Sequence, residues 1–269
     1  RELIDFAIPQ SINMTLNRFI TGIDVLMLPA FGFSATIVGF YGAGTMLVRE
    51  IRSVKMVFST AFSPHIVRLY KLKSYKQLSY HFSKTSAWIA SITIPVLFIV
   101  AIFKDPLMAF IHPEYAGNTQ FIYYLLPIPY FFCSFSLAGN IVAMTGHSKL
   151  NLLNSIIVAA TNTLLNFILI PKFGIIGAAL ASAIAMFILN SCELIEARLV
   201  ASAKLYLKHI TRPHLSGFIA SILLSIVLSM NIDLIDSLIG KVLLATSIII
   251  IYGIGLGTKS ITKIIAKLS

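Results

Sequence analysis

The sequence predicts an all-α, polytopic membrane protein. Hydrophobic residues make up 57% of the 269 residues and charged residues only 12%, and the mean hydropathy is +0.89. Soluble domains carry about a quarter charged residues. The apolar residues also form continuous segments, each near or above the ~20 residues with which a helix crosses a ~30 Å hydrocarbon core. The net charge of +11 lies mainly in loops, so we attribute it to membrane topology and expect no nucleic-acid partner.

Eight segments are long enough to span as helices, and we expect eight transmembrane helices: 3–29, 36–66, 84–103, 120–145, 150–171, 174–200, 213–230 and 238–257. Lys and Arg concentrate in the loops after the second, fourth and sixth segments and in the C-terminal tail. The other loops hold only Lys104, Lys172 and Lys241. By the positive-inside rule, both termini are therefore expected in the cytoplasm and the chain in a cell (plasma or inner) membrane.

The first segment carries a polar stripe. Its members recur every three or four residues: Gln10, Asn13, Asn17, Thr21 and Asp24. The amides suit interhelical hydrogen bonding and the lining of a cavity equally well. Arg18 lies beside the stripe. For Asp24 and Arg18 the sequence favours a functional role, because a charge at the centre of a spanning helix costs about 2.5–3.5 kcal/mol on insertion scales.

The second segment has four ionisable residues in its middle: Arg49, Glu50, Arg52 and Lys55. At about 100° per residue, Glu50 points away from a broad polar sector. That sector contains Tyr41, Thr45, Arg49, Arg52, Lys55, Ser59 and Ser63. The pattern predicts a cationic face that looks into protein or water, not lipid.

Two later segments also carry polar groups. Asn162 and Asn166 lie one turn apart on the fifth segment. Glu193 and Glu196 stand near the cytoplasmic end of the sixth, where pairing with basic loop residues is the main interpretation and a proton relay is the alternative. No nucleotide-binding loop, zinc motif or nucleophile elbow occurs. We therefore expect neither an enzyme nor a cofactor or metal.

The chain resembles the C-terminal lobe of polysaccharide flippases in the multidrug/oligosaccharidyl-lipid/polysaccharide exporter superfamily. The resemblance rests on FAIPQSINMTLNRFITGIDVLML, VGFYGAG, REIRSVKMVFSTAFSPHIVRLY, HPEYAG and MTGHSKLNLLNSIIVAATNTLLNFILIPKFGIIGAALASAIA. The last block is the most specific. The resemblance implies a six-helix lobe over 1–203, two additional helices over 204–257, as in fourteen-helix members, and a basic amphipathic cytoplasmic tail over 258–269.

The resemblance further implies a function: moving a lipid-linked oligosaccharide, on a polyprenyl pyrophosphate carrier, to the outer leaflet. Such proteins have two lobes around a cavity, and the chain starts at Arg1 without Met, so we expect a fragment that lacks the first lobe. Related lipid II flippases place an acid/base pair in the cavity. Here the order is Arg49-Glu50, and the periodicity favours Arg49 as the inward residue. Implied partners are the lipid-linked oligosaccharide, membrane lipids, and glycosyltransferases and a polymerase of the same pathway.

The sequence thus predicts alternating access, with substrate bound by Arg18, Arg49, Arg52, Lys55, Gln10, Asn13, Asn17, Asn162 and Asn166. Asp24 and Glu50 are expected to act in ion coupling or support. One alternative is a drug or organic-cation antiporter of the same superfamily, which calls for acidic and aromatic cavity residues. The other is a non-transporting membrane scaffold in envelope assembly.

Overall fold

The computed structural model of the chain describes residues 11–12, 22–135, 137–229 and 237–256. Within these ranges the chain is helical and has no strand, which confirms the all-α prediction for the described residues. The helices are α1 (Ile23–Ala30), α2 (Ala35–Glu50), α3 (Ser53–Lys71), α4 (Tyr75–Ile102), α5 (Lys104–Ile111), α6 (Phe121–Leu125), α7 (Pro127–Phe135), α8 (Leu137–Met144), α9 (Ser148–Phe173), α10 (Ile175–Ala201), α11 (Leu207–Ser229) and α12 (Leu238–Leu256).

Among the described helices, five are long and apolar enough to cross a membrane, as expected of a multi-pass membrane protein: α4, α9, α10, α11 and α12. A sixth span is possible if α6–α7 and α8 count together, with a bend of 45° between them. The expected count of eight is not reached among the described helices. The first predicted segment is described in full only from Gly22, and the second is divided at Ile51 and Arg52.

The α9–α10 hairpin is the most tightly packed pair. Gly174, with φ +58°, makes the turn between the two helices. A β-carbon at position 177 would overlap the Leu169 carbonyl, so only glycine permits this approach of the two backbones. The small-residue surface of α10 acts here as a packing surface, in agreement with the general rule that small residues bring membrane helices together.

Two apolar cores follow one another along the bundle. The first core includes Leu28, Tyr41, Ile51, Phe121 and Ile170. The second includes Phe62, Ile66, Phe82, Ile141 and Ala201. Between them lies a layer that we call the polar waist, defined by Arg52, Lys55, Asn140 and Glu193. The Phe132 ring packs against both cores at this level.

The last two helices form a third apolar cluster with α4. Phe98 on α4 meets Tyr252 on α12, with ring centroids 6.3 Å apart, and Ala220 and Leu224 of α11 pack beside them. On its other side α11 reaches α7, where His214 Nδ1 lies 2.7 Å from the Tyr130 hydroxyl. The additional pair is therefore packed onto the bundle through one face of α4 and the start of α11.

A polar cluster closes the end of the bundle at which α5 begins. Lys104 Nζ lies 3.0 Å from Asp105 Oδ2 and 2.8 Å from Thr119 Oγ1. The Thr119 hydroxyl donates to the second oxygen of Asp105. Partial burial alone would raise the pKa of Asp105, but the hydrogen bonds from Thr119 and Lys104 and the positive charge of Lys104 outweigh it and hold the pKa below its ordinary value.

Candidate functional site

A tightened turn divides the second predicted segment into α2 and α3. The Ile51 N–H donates to the Val48 carbonyl at 3.3 Å, and the Arg52 N–H donates to the Arg49 carbonyl at 3.0 Å. These bonds span three residues instead of four. Ile51 (φ −60°, ψ −27°) and Arg52 (φ −63°, ψ −19°) also have the dihedral angles of a 3₁₀ turn. The charged residues of the segment thus stand at a break in the helix, a feature often found at functional hinges.

No proline or glycine lies at this break, so tertiary contacts are the remaining physical cause. Ile51 is buried in the first core, and its carbonyl accepts hydrogen bonds from the Val54 N–H at 3.3 Å and from the Cys133 thiol at 3.7 Å. The thiol comes from α7, so this helix helps to hold the tightened turn. Cys133 is itself buried.

A chain of hydrogen bonds joins four helices next to the break. Asp24 on α1 is only 3% exposed, and its Oδ2 accepts from the Tyr41 hydroxyl at 2.7 Å and from the Ser182 hydroxyl at 3.2 Å. Asn162 Nδ2 donates to Ser182 Oγ at 3.4 Å, and Asn166 Nδ2 donates to Asn162 Oδ1 at 3.0 Å. The Asn pair predicted from its one-turn spacing is therefore linked to the predicted acidic residue through Ser182, which the sequence analysis did not select.

A cavity of about 50 Å³ lies between this hydrogen-bond chain and the break. Its polar lining comes from Asp24, Thr45, Arg49, Arg52, Asn162 and Ser182. A water molecule needs roughly 10–15 Å³ of such space, so the cavity has room for a few waters or a small ion but not for a sugar ring. Among the residues that the structure describes, Asp24 has no ion pair, and the carboxylate therefore faces the cavity with neutral partners.

The two arginines at the break differ in exposure. Arg49 is exposed while still lining the cavity, and Arg52 is partly buried with its guanidinium carbon 5.0 Å from the centroid of the Phe132 ring. Arg52 Nε is buried and has no hydrogen-bond acceptor in the described part of the chain. A buried donor without an acceptor costs free energy, so the Arg52 Nε–H is available to donate to an anionic ligand or a water.

Lys55 lies one turn further along, outside the cavity. It is 8% exposed, its Nζ donates to Asn140 Oδ1 at 3.0 Å, and Nζ also lies 5.0 Å from the Phe132 centroid. The acidic group whose charge acts on Lys55 is Glu193 of α10. The predicted cationic face therefore divides in two: the arginines reach the cavity, and Lys55 is held within the polar waist.

Glu193 lies inside the bundle, which differs from the interfacial position that the sequence suggested. Its carboxylate rests on the backbone of Gly139, where a β-carbon would overlap it, and Oε2 has no hydrogen-bond partner among the described residues. Glu196 instead accepts from Asn154 Nδ2 at 2.7 Å. Neither glutamate forms an ion pair with a described basic loop residue.

Glu193 is half-buried, and its neighbours on α10 gave a signal for its position inside the bundle. Leu189 and Ala197, four residues before and after it, are buried in the first and second cores. Side chains four positions apart lie on nearly the same helix face, so two small or apolar neighbours at this spacing indicate that Glu193 faces the bundle.

The remaining candidate residues divide as follows. Glu50 is exposed and does not line the cavity, in keeping with its predicted direction away from the cationic sector. Asn166 donates to Asn162 but does not itself line the cavity. Four predicted binding residues lie outside the described residues: Gln10, Asn13, Asn17 and Arg18.

Within the described residues, no group of three or more His, Cys, Asp or Glu side chains could hold a metal ion. In comparisons with known proteins, no family profile, curated protein or solved structure matches the chain.

Proposed function

We propose that the chain is the second lobe of a flippase that moves a polyprenyl-pyrophosphate-linked oligosaccharide from the cytoplasmic to the outer leaflet. One observation carries the proposal: Arg49 and Arg52 flank a break in a helix, beside a polar cavity. Membrane transporters commonly bind ionic substrate groups where a helix is interrupted near the middle of the bilayer. Two arginines at such a position suit a pyrophosphate, because the guanidinium fork matches phosphate oxygens.

The proposal includes a topology. The helix formed by α2 and α3 is one span with a hinge, and α1 is the end of another. With the bent α6–α8 element and the five long helices, these give eight spans and two cytoplasmic termini. The strongly basic loops then face the cytoplasm.

The size of the cavity limits what binds there. At about 50 Å³ it takes a phosphate oxygen with water, or a small ion, but no sugar. The oligosaccharide would therefore lie outside this lobe's interior, on the side where Arg49 is exposed. Gln10, Asn13, Asn17 and Arg18 belong to the proposed binding surface. Asn162 and Asn166 would orient Ser182 and, through it, Asp24.

Asp24 is the proposed coupling residue. Its carboxylate accepts bonds only from neutral groups among the described residues, so a cation or a proton can add to it in the same cavity as Arg52. A cation bound to the Asp24 carboxylate would weaken the attraction between Asp24 and Arg52, so that the arginine becomes available to bind the substrate. Neutralisation of Arg18 is the other role open to Asp24.

The test is a flipping assay on the intact protein in liposomes. Arg49→Ala and Arg52→Ala are expected to abolish flipping while the protein remains folded, and Arg52→Lys to retain only part, since lysine keeps the charge but not the fork. Lys172→Ala removes an exposed cation outside the cavity and is the matched control. Normal flipping by both alanine variants would contradict the phosphate-binding role.

A cation antiporter is the second candidate, favoured by the buried Asp24 without an ion pair in the described part of the chain. The same liposomes distinguish the two functions. Efflux of an organic cation that depends on Asp24, without flipping of the lipid-linked sugar, would support the antiporter.

A further inference from the structure

A short non-helical segment joins α10 to α11 and is fixed to α4. We call residues 202–206 the strap. The Lys204 N–H donates to Ser79 Oγ at 2.9 Å, and the Tyr206 N–H donates to Ser83 Oγ at 2.7 Å. The two serine hydroxyls also approach the strap carbonyls of Ser202 and Lys204, both at 3.4 Å. The backbone of the strap therefore has a defined course along α4.

The strap forms one wall of a groove of about 720 Å³, far larger than the cavity beside Asp24. Three cationic side chains line it: Arg198 from α10, Lys204 from the strap and Lys208 from α11. No acidic residue lines this groove, and none of the three cations has an ion-pair partner in the described ranges of the chain. The groove thus concentrates positive charge that no described acidic residue pairs with.

Aromatic side chains form the floor of the groove. The Tyr80 and His209 rings meet edge to face at 5.4 Å, and the Tyr206 ring lies 6.5 Å from His209. Lys84 Nζ lies 3.1 Å from the Tyr80 hydroxyl and adds a fourth cation close by. The His209 Nε2 atom is buried and has no hydrogen-bond partner among the described residues. Tyrosine and lysine at a helix end are typical of the membrane–water interface.

Apolar side chains flank the same groove. Ile195 and Leu207 line the groove and are 60% and 70% exposed, and Leu199, one turn after Ile195 on α10, is 75% exposed. These side chains face outward from the bundle, where acyl chains would lie. A ligand at this place therefore meets cations at its head and apolar surface along its tail.

We propose that this groove binds the phosphodiester headgroup of an anionic phospholipid, with Arg198, Lys204 and Lys208 around the phosphate and the acyl chains on Ile195, Leu199 and Leu207. Basic pockets between membrane helices on the cytoplasmic side commonly take such headgroups. The lipid would join α10, α11 and α4 at one point. The site lies apart from the Asp24 cavity, and its lipid binding is independent of the flippase proposal.

The test measures binding of phosphatidylglycerol and of phosphatidylcholine to the purified protein in neutral detergent, by native mass spectrometry and by titration with a fluorescent lipid. We expect phosphatidylglycerol to bind more tightly. The variant Arg198→Gln/Lys204→Gln/Lys208→Gln should lose on the order of 100-fold in this affinity, at about fivefold for each charge removed. Substitution of Lys204 leaves its backbone bond to Ser79 in place, and circular dichroism checks the fold.

A matched control removes three cations from the same end of the bundle, outside the groove: Arg68→Gln/Lys71→Gln/Lys76→Gln. This control should retain the affinity within about threefold. Equal losses in the two triple variants would show a diffuse attraction to the whole basic surface and overturn the site. An unchanged affinity in the groove variant would overturn it as well.

Two further measurements distinguish a bound lipid from a bound phosphate ion. Leu199→Ser/Leu207→Ser should weaken phosphatidylglycerol without changing the response to inorganic phosphate, because only the lipid uses the apolar flank. If inorganic phosphate at equal concentration displaces the lipid completely, the groove is an anion site and not a lipid site. That result would contradict the proposal.

Discussion

The Tyr41 hydroxyl donates a 2.7 Å hydrogen bond to Asp24 and so connects α2 to α1 within the first core. Both side chains are almost completely buried. The bond therefore belongs both to the packing of the first core and to the cavity that the carboxylate lines. Replacing Tyr41 by phenylalanine tests the hydrogen bond apart from the packing, because the aromatic ring remains while the hydroxyl donor is lost.

Tyr41→Phe is expected to lower the free energy of unfolding by about 1–3 kcal/mol, because a buried carboxylate loses its shortest hydrogen bond. Denaturant unfolding in detergent, followed by circular dichroism, measures the loss. Tyr252→Phe is the matched control: the buried Tyr252 hydroxyl makes no hydrogen bond of good geometry to a described residue, and its neighbour Ser91 already donates to the Ala87 carbonyl, so its removal should cost little. Equal effects of the two substitutions would contradict the role of Tyr41.

Gly177→Ala is expected to destabilise the protein by about 1–3 kcal/mol, since the new methyl group overlaps the Leu169 carbonyl and forces the α9 and α10 backbones apart. Gly42→Ala provides the comparison. A β-carbon there meets only Val25 Cγ1 at an ordinary 3.9 Å, so the helix gains about 0.5–1 kcal/mol from the loss of glycine. Denaturant unfolding in detergent measures both variants, and a Gly177→Ala protein as stable as Gly42→Ala would contradict the close approach of the two helices.

Lys55 and Glu193 are expected to be energetically coupled across the polar waist. Lys55→Met and Glu193→Gln each leave the other group without its opposite charge. The double variant should therefore lose about 0.5–3 kcal/mol less unfolding free energy than the two single losses added together. A double-mutant cycle on unfolding free energy gives the coupling. Lys55→Met with Glu196→Gln is the control cycle, since Glu196 bonds to Asn154. Additive losses in the first cycle would exclude the coupling.

Asp105 is expected to make stability fall at acidic pH. The pKa of its carboxyl is lowered in the folded state, so its contribution is fully present above the ordinary value of 3.8 and is lost as the pH falls through the lower folded value. Wild type and Asp105→Asn should differ by a constant amount from about pH 7 to pH 5, and the difference should begin to shrink below about pH 4 and disappear only below the lowered folded pKa. Thermal unfolding across this range measures the difference, and a gap that widens toward acid would show the opposite shift.

The long apolar helices could be predicted from sequence because continuous hydrophobic runs of this length have few alternatives. Predicted bounds such as 150–171 and 174–200 agree within two residues with Ser148–Phe173 and Ile175–Ala201. The break at Ile51 and Arg52 could not be predicted in the same way. The break contains neither proline nor glycine, and one of its contacts comes from the Cys133 thiol on a distant helix. No local sequence pattern therefore predicts it.

The sequence patterns predicted only part of the candidate site. Helical spacing brought out Asp24, Arg52 and Asn162, which line one cavity in the structure. It did not distinguish Lys55, which occupies the same sector, because the tightened turn advances by about 120° per residue instead of about 100° and so shifts the face on which later side chains lie. Ser182 lies within the small-residue block GIIGAALASAIA, whose pattern is typical of close helix packing and does not single out one hydroxyl.

The polar waist also has a consequence for the way the bundle opens. Because a layer of charged and amide groups separates the two apolar cores, each core can lose its packing without first disrupting the other. In native-state hydrogen exchange, the amides of α3 and α8 should therefore form one cooperative group and those of α2 and α6 another. The long helices α4 and α10, which both contribute buried residues to the two cores, should then exchange more slowly than either group, because they unfold only when both halves of the bundle open.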